Sequence, residues 1–231
     1  ANAIQPIDIR KLTYWDEING LSKKGRLTDT APIGLGDSPH KLLYFQPDGS
    51  LGSTVSDQVS FLPYVHNTDS FGYNSAIIPQ AVPYQTESWG WLLDERYHGK
   101  VAIVNAPTIG IFDMALAAQA RGLMTFNDMG NMSREEIDAL FDIMIAKKRQ
   151  GHFRGVWTSV PHSVELMASG EVVLASLFSP AASQLNGMGI PCVYAAPKEG
   201  YRAWQGVMCL SRASQGERRE AAYAFMNWWL S

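Results

Sequence analysis

The chain has 231 residues, 46% of them hydrophobic and 18% charged, with a formal net charge of −3. That length suits one large domain or two smaller ones, and the apolar share allows a packed core and excludes a disordered chain. The mildly acidic balance with no basic stripe excludes nucleic acid as the main partner, and no apolar run reaches the length of a bilayer span.

The first residues, Ala1-Asn2-Ala3-Ile4-Gln5-Pro6, lack the basic start and apolar run of a signal peptide, as a mature or trimmed chain also would. From Asp8 to Leu21, the apolar residues Leu12, Trp15, Ile18 and Leu21 predict a short amphipathic helix. A Gly/Ser/Pro-rich region follows from Gly34 to Ser56. Within it Lys41 to Gln46 predicts a strand, Pro47-Asp48-Gly49-Ser50 a turn, and Val55 to Val65 a returning strand.

Phe71 to Ile78 predicts a strand ending in a Pro-rich loop, and Ser88 to Leu93 a short helix. Gly99-Lys100 turns into the strand Val101 to Val104. Asn105-Ala106-Pro107-Thr108 then leads into a helix from about Ile111 to Ala120. Asn131 to Lys148 carries the clearest helical signal. Ser133 and Glu136 form a capping box, Met132 is placed for a hydrophobic staple, and Ile137, Leu140, Phe141 and Met144 make a buried stripe. Lys147, Lys148 and Arg149 fall in its last turn, where cations suit the helix dipole, so the triplet is a solvated helix end.

Beyond it lie a segment Phe153 to Trp157, a helix Ser163 to Ser169, a strand Val172 to Leu177, a helix Ser179 to Asn186 and strands Ile190 to Ala196 and Gly206 to Leu210. A final helix, Glu217 to Leu230, has Ala221, Phe225 and Trp228 along one side, and Trp228 and Trp229 read as helix packing. Strands alternating with helices predict an α/β sheet with right-handed crossovers. Cys192 and Cys209 both lie in apolar stretches and read as small buried residues, with one disulfide as the alternative. No CxxC and no His/Cys cluster marks a metal, so no metal and no cofactor is expected.

Several segments together resemble the spermidine/putrescine-binding group of extracellular solute-binding proteins of ABC importers. They are Phe61-Leu62-Pro63-Tyr64-Val65 with Phe71-Gly72-Tyr73-Asn74, and Ser88-Trp89 through Tyr97-His98-Gly99-Lys100-Val101-Ala102. Further on come Met114-Ala115-Leu116, Ala168-Ser169-Gly170-Glu171, Pro197-Lys198-Glu199-Gly200 and Glu220 to Asn227. Each motif alone is weak; their order over about three quarters of the chain makes the match specific. The resemblance implies a two-lobe periplasmic-binding-protein fold of type II, with the first lobe incomplete in this chain. It implies a partial first lobe over 1–65, a second lobe over 66–198 and a return to the first over 199–231. It also implies a periplasmic monomer that closes on a solute by hinge bending and delivers it to the membrane permease of an ABC transporter.

In such a fold, ligands meet strand ends and helix N-termini. Four segments fit. The polar crossing segment contains His66, Asn67, Asp69 and Ser70; its bland reading is a surface turn, while Asp69 would be the partner of a ligand cation. Asn105 and Thr108 follow a strand where the resemblance implies carboxylates, or else they cap the next helix. Phe178 and Ser179 stand where the family often has a Trp, with a core Phe as the alternative. The last segment has Arg202, Trp204 and Gln205, with Trp204 matching a ligand-stacking Trp and Gly206 standing where polyamine binders have an Asp. Arg202 reads first as a solvated loop charge and second as a bidentate receiver of a ligand carboxylate. Trp157 could line the site as well.

The missing carboxylates with retained aromatics predict a small polar solute, an amine, amino acid or opine-like compound; a polyamine is the alternative within the family. An α/β hydrolase is the rival of another class, but the chain has no Gly-x-Ser-x-Gly elbow, Walker loop, GxGxxG or HExxH. His66 with Asp69 does not make a dyad, because three residues apart on an extended segment they face opposite sides. A sensor domain of a transcription factor would need an attached DNA-binding segment, and a pure interaction module would need exposed apolar patches. No catalytic residue is expected.

Overall fold

The computed structural model describes residues 3–31, 33 and 39–231. Ala1, Asn2 and the start of the glycine-rich stretch, residues 34–38, lie outside the described residues. The chain divides into two compact units, Ala1–Asn67 with Trp204–Ser231, and Thr68–Ala203.

The first unit opens with two short strands, β1 (Ile4–Gln5) and β2 (Ile7–Asp8). The helix expected over Asp8 to Leu21 does not form. In its place are two single turns of 3-10 helix, Ile9–Lys11 and Trp15–Glu17, and then α1 (Gly20–Lys24). The reason lies in the spacing. Leu12, Trp15, Ile18 and Leu21 step by three residues, which is the 3-10 period, not 3.6. Asp8 also accepts a bond from the Arg10 N–H at 3.0 Å and so caps the first turn.

The hairpin region is shorter than expected. It reduces to β3 (Tyr44–Phe45), β4 (Leu51–Gly52) and β5 (Gln58–Val59), joined into an antiparallel sheet in the order β2-β5-β3-β4. The turn at 47–50 does form: Gly49 N–H donates to Gln46 O at 2.9 Å, and Asp48 accepts from Ser50 N–H. Ile7, Leu12, Trp15, Leu43, Tyr44, Val59 and Leu62 are buried around this sheet.

β6 (Leu62–Asn74) is one strand of 13 residues and belongs to both units. Two strands separated by a polar crossing had been expected here. Residues 66–68 are polar and exposed, yet the strand runs unbroken through them.

The second unit is built on the remainder of β6. Two 3-10 turns, Trp89–Leu93 and Glu95–Tyr97, precede β7 (Val101–Val104). Then come α2 (Pro107–Ala120), α3 (Arg134–Arg149), β8 (Phe153–Trp157), α4 (Val160–Ala168), β9 (Leu174–Leu177), α5 (Ser179–Gly187) and β10 (Cys192–Tyr194). β11 (Arg202–Met208) leads back to the first unit, starting four residues before the strand expected at Gly206. The strand order is β10-β6-β9-β7-β8, and β11 also pairs with β6. β7 is parallel to β8 and β9; β6 is antiparallel to β9 and β10.

All residues of β7 and β9 are buried, as parallel strands covered on both faces must be. Their alternation divides the core in two. Val101, Ile103 and Leu174 join Phe71, Tyr73, Trp89, Leu92, Met114 and Leu140 on one face. Ala102, Val104, Ala175 and Leu177 join Trp157, Val164, Met167, Ala181 and Leu185 on the other. Each fully buried aliphatic side chain here contributes about 1.5–3 kcal/mol.

α3 has the expected capping box: Ser133 accepts from Glu136 N–H, and Glu136 accepts from Ser133 N–H. Its buried stripe is narrower than expected. Leu140 is buried, Ile137 and Met144 are half-buried, and Phe141 is exposed. The first unit closes with β12 (Leu210–Ser211), paired with β1, and α6 (Glu217–Leu230). On α6 the buried residues are Tyr223 and Met226, while Phe225, Trp228 and Trp229 are exposed, the reverse of the side expected to pack. Tyr223 decides this rotation, since its hydroxyl accepts from Asp8 N–H at 2.8 Å. Cys192 is buried and Cys209 exposed, and both are free thiols, so the second cysteine departs from expectation.

Candidate functional site

In the second unit the C-terminal ends of β7, β8 and β9 lie side by side, and α2, α4 and α5 each begin there. Asn105 follows β7 and is exposed; its N–H donates to Trp157 O at 2.8 Å. Trp157 ends β8. It is buried, and its indole N–H donates to Ser176 O at 2.8 Å, so it is a core residue whose edge supports Phe178. The two rings meet edge to face at 5.0 Å. Phe178 is half-buried and is the N-cap residue of α5, and Ser179 is exposed beside it.

The helix starts differ in a way that matters. α3 and α4 are capped by Ser133 and Ser159. α2 and α5 have no side-chain cap bond; their N-cap residues are Ala106 and Phe178, and each has Pro in its first turn. Asn105 and Thr108 therefore do not cap α2, although Thr108 is exposed in its first turn. Proline removes one donor from each start, and the remaining N–H groups and helix dipole suit a ligand oxygen.

Behind this edge is a buried ion cluster. Arg202 begins β11, and its Nη2 lies 3.0 Å from Asp69 Oδ2 while its Nε donates to Asp113 Oδ1 at 2.7 Å. Side-chain exposures of 10%, 11% and 2% place all three away from water. Arg202 is thus not a solvated loop charge, and Asp69 already has a cationic partner. Burial pushes the Asp113 carboxyl up to about 6, against the pull of Arg202. Asp113 was missed in the sequence, although a lone acid within the apolar run Ile111 to Ala118 is a signal, since unpaired acids are almost never buried. Next to it Ser70 is held from both sides: its N–H donates to the Tyr194 hydroxyl at 2.9 Å and its Oγ donates to Ala195 O at 2.8 Å.

His66, Asn67, Trp204 and Gln205 belong to the first unit. His66 and Asn67 are exposed in β6, and His66 Nδ1 stands 3.5 Å from Asn19 Nδ2. His66 also lines a cavity of about 290 Å³ with Tyr14, Glu17, Asn19 and Tyr64. Trp204 is 40% exposed, as a stacking residue must be. Gln205 Oε1 is buried without a hydrogen-bond partner. Gly206 is fixed by space: a Cβ there would come within 2.5 Å of Val65 Cγ1 and 2.9 Å of the Tyr64 ring. An acidic side chain at 206 requires both neighbours to move.

Uncapped starts of α2 and α5 at the ends of parallel strands thus form one edge of this α/β unit. The sequence profile of the bacterial extracellular solute-binding protein family matches residues 3–231, and the chain belongs to that family. The family binds solutes and is not one of enzymes. No curated protein sequence matches the chain.

Solved structures share its fold. The spermidine/putrescine ABC transporter substrate-binding protein PotD of Streptococcus pneumoniae is 15% identical with a TM-score of 0.59, over 99% of this chain and 57% of its own. The PotD lipoprotein of Treponema pallidum is 14% identical with a TM-score of 0.65, over 99% and 60%. The binding protein MotA of A. tumefaciens, solved with glucopine, is 14% identical with a TM-score of 0.57, over 99% and 57%. The chain thus spans less than two thirds of the length of these proteins.

Proposed function

We propose that the protein is the substrate-binding component of an ABC importer. It takes up a small polar solute bearing a carboxylate, an amino acid or opine-like compound, in the periplasm and passes it to a membrane permease. The carrying observation is the pair of uncapped helix starts, α2 and α5, at the ends of β7 and β9. Free N–H groups there suit an anionic oxygen, and a carboxylate supplies one.

The same face is poor in sites for a polycation. Asn105, Thr108, Phe178 and Ser179 carry no negative charge, and Asp69 is bound to Arg202. The proposed contacts are Asn105, Thr108, Phe178 and Ser179, while Ser70, Asp69 and Trp157, which are buried, and Arg202, whose side chain is 10% exposed, support them. Among the contacts Phe178 covers the apolar part of the solute.

A thermal-shift screen of the intact protein against amino acids, opines, small amines, spermidine and sugars tests this reading. A ligand at about 100 times its Kd stabilises the folded state by about 2.7 kcal/mol. A carboxylate-bearing compound is expected to raise Tm and to be recovered unchanged. A strong response to spermidine with none to amino acids or opines would overturn the proposal.

A further inference from the structure

A second group of residues, on the same unit but at the opposite ends of β7 and β8, has no part in that reading. Glu95 begins a 3-10 turn and His98 follows it, three residues on, so their side chains are eclipsed on one side of the chain. His152 lies between α3 and β8. The two loops are joined: Gly99 N–H donates to His152 O at 2.9 Å, and His152 N–H donates to Lys147 O at 3.0 Å. Gly99 and Gly151, at φ 68° and 79°, supply the left-handed turns that bring the loops together.

His152 is fully buried, and its Nε2 lies 2.9 Å from Leu92 O. A carbonyl can only accept, so Nε2 carries the proton and Nδ1 keeps its lone pair. That buried Nδ1 has no hydrogen-bond partner. A neutral imidazole with one N–H tied to a backbone carbonyl and a bare second nitrogen is the arrangement found in metal-ligating histidines. One ligand atom from each of Glu95, His98 and His152 lies within 4.8 Å of the others. Glu95 and His98 are 62% and 48% exposed, so both are free to draw in to the roughly 3.4 Å that a tetrahedral zinc ion sets between its ligands.

We propose that Glu95, His98 and His152 form a binding site for a zinc-class divalent cation, with a position left for water. Two imidazoles and one carboxylate suit such an ion better than calcium or magnesium, which take oxygen ligands. The ion would clasp the segment before β7 to the segment before β8. Lys147 is its competitor: its ammonium is hydrogen-bonded to Glu95 Oε1 and draws charge from the carboxylate that the metal would use.

The test is titration of the intact, chelator-treated protein with zinc by calorimetry and with cobalt(II) by its visible absorption. One saturable equivalent is expected in the micromolar range, with cobalt bands of a tetrahedral nitrogen/oxygen site. His98→Ala and Glu95→Gln, both at exposed side chains, are expected to weaken binding at least tenfold. Lys147→Met is expected to tighten it, and His162→Ala to leave it unchanged. Near-ultraviolet circular dichroism shows whether each variant is folded. No saturable binding by the parent chain, or affinity unmoved by both His98→Ala and Glu95→Gln, overturns the proposal.

Discussion

Two charged clusters sit on the same unit and differ in how they are satisfied. In one, Asp69, Arg202 and Asp113 are all close to fully buried, and each charge is answered by another side chain. In the other, Glu95 and His98 are open to water and only His152 is buried, with Nδ1 unanswered. A closed cluster holds the protein together and is costly to break. An open cluster contributes little to folding and keeps a ligand atom in reserve. The difference teaches that buried charge and binding capacity are separate quantities, and that an unpartnered polar atom is the better guide to the second.

The largest effect comes from breaking the closed cluster. Arg202→Met leaves two carboxylates buried together without a counter-charge and is expected to cost about 3–5 kcal/mol, read from urea unfolding. A loss below about 1 kcal/mol would show that Asp69 and Asp113 relax into water.

The second effect is a dependence on pH. Asp113 is raised from 3.8 to about 6 in the folded chain. The folded state therefore holds the proton more tightly than the unfolded one, and the stability gained is present below pH 4 and lost as pH rises through about 6. At 1.36 kcal/mol per unit the loss is on the order of 3 kcal/mol. Asp113→Asn cannot titrate, so its unfolding free energy is expected to fall less than that of the parent between pH 4 and 7. Parallel slopes for the two proteins would place the titration elsewhere.

Smaller still is the cap of α3, the helix that leads to the open cluster. Ser133→Ala removes the acceptor of the Glu136 N–H and is expected to cost about 1 kcal/mol. The smallest effect is at the open cluster itself. Without metal, Glu95→Gln and His98→Ala are expected to unfold at the same urea concentration as the parent. A clear loss of stability would make this cluster a structural one and collapse its contrast with the Arg202 cluster.

Local pattern carried much of this architecture. The strand Val101 to Val104 and its Gly-Lys turn, the capping box at Ser133 and Glu136, and the alternation of strands and helices are read from neighbours within a few residues. Where the pattern misled, tertiary contacts decided. On α6 the side expected to pack faces outward with Trp228, while Tyr223, whose hydroxyl accepts from Asp8 N–H, is buried. At the site, the sequence pointed to the strand-end positions Asn105, Trp157 and Phe178. It did not show that Trp157 lies under Phe178 or that Arg202 is bound between Asp69 and Asp113.

By itself the sequence determined the α/β class and the capping box of α3, because each depends on residue type and short-range spacing. Only the tertiary structure decided which charges are answered and which are left over. Arg202 and Asp113 are 89 residues apart in the chain, as are few pairs that local periodicity can relate. His98 and His152 come together only because two glycine turns are joined through the bond from Gly99 to His152. Such meetings are set by sheet order and loop closure, which no run of neighbouring residues encodes.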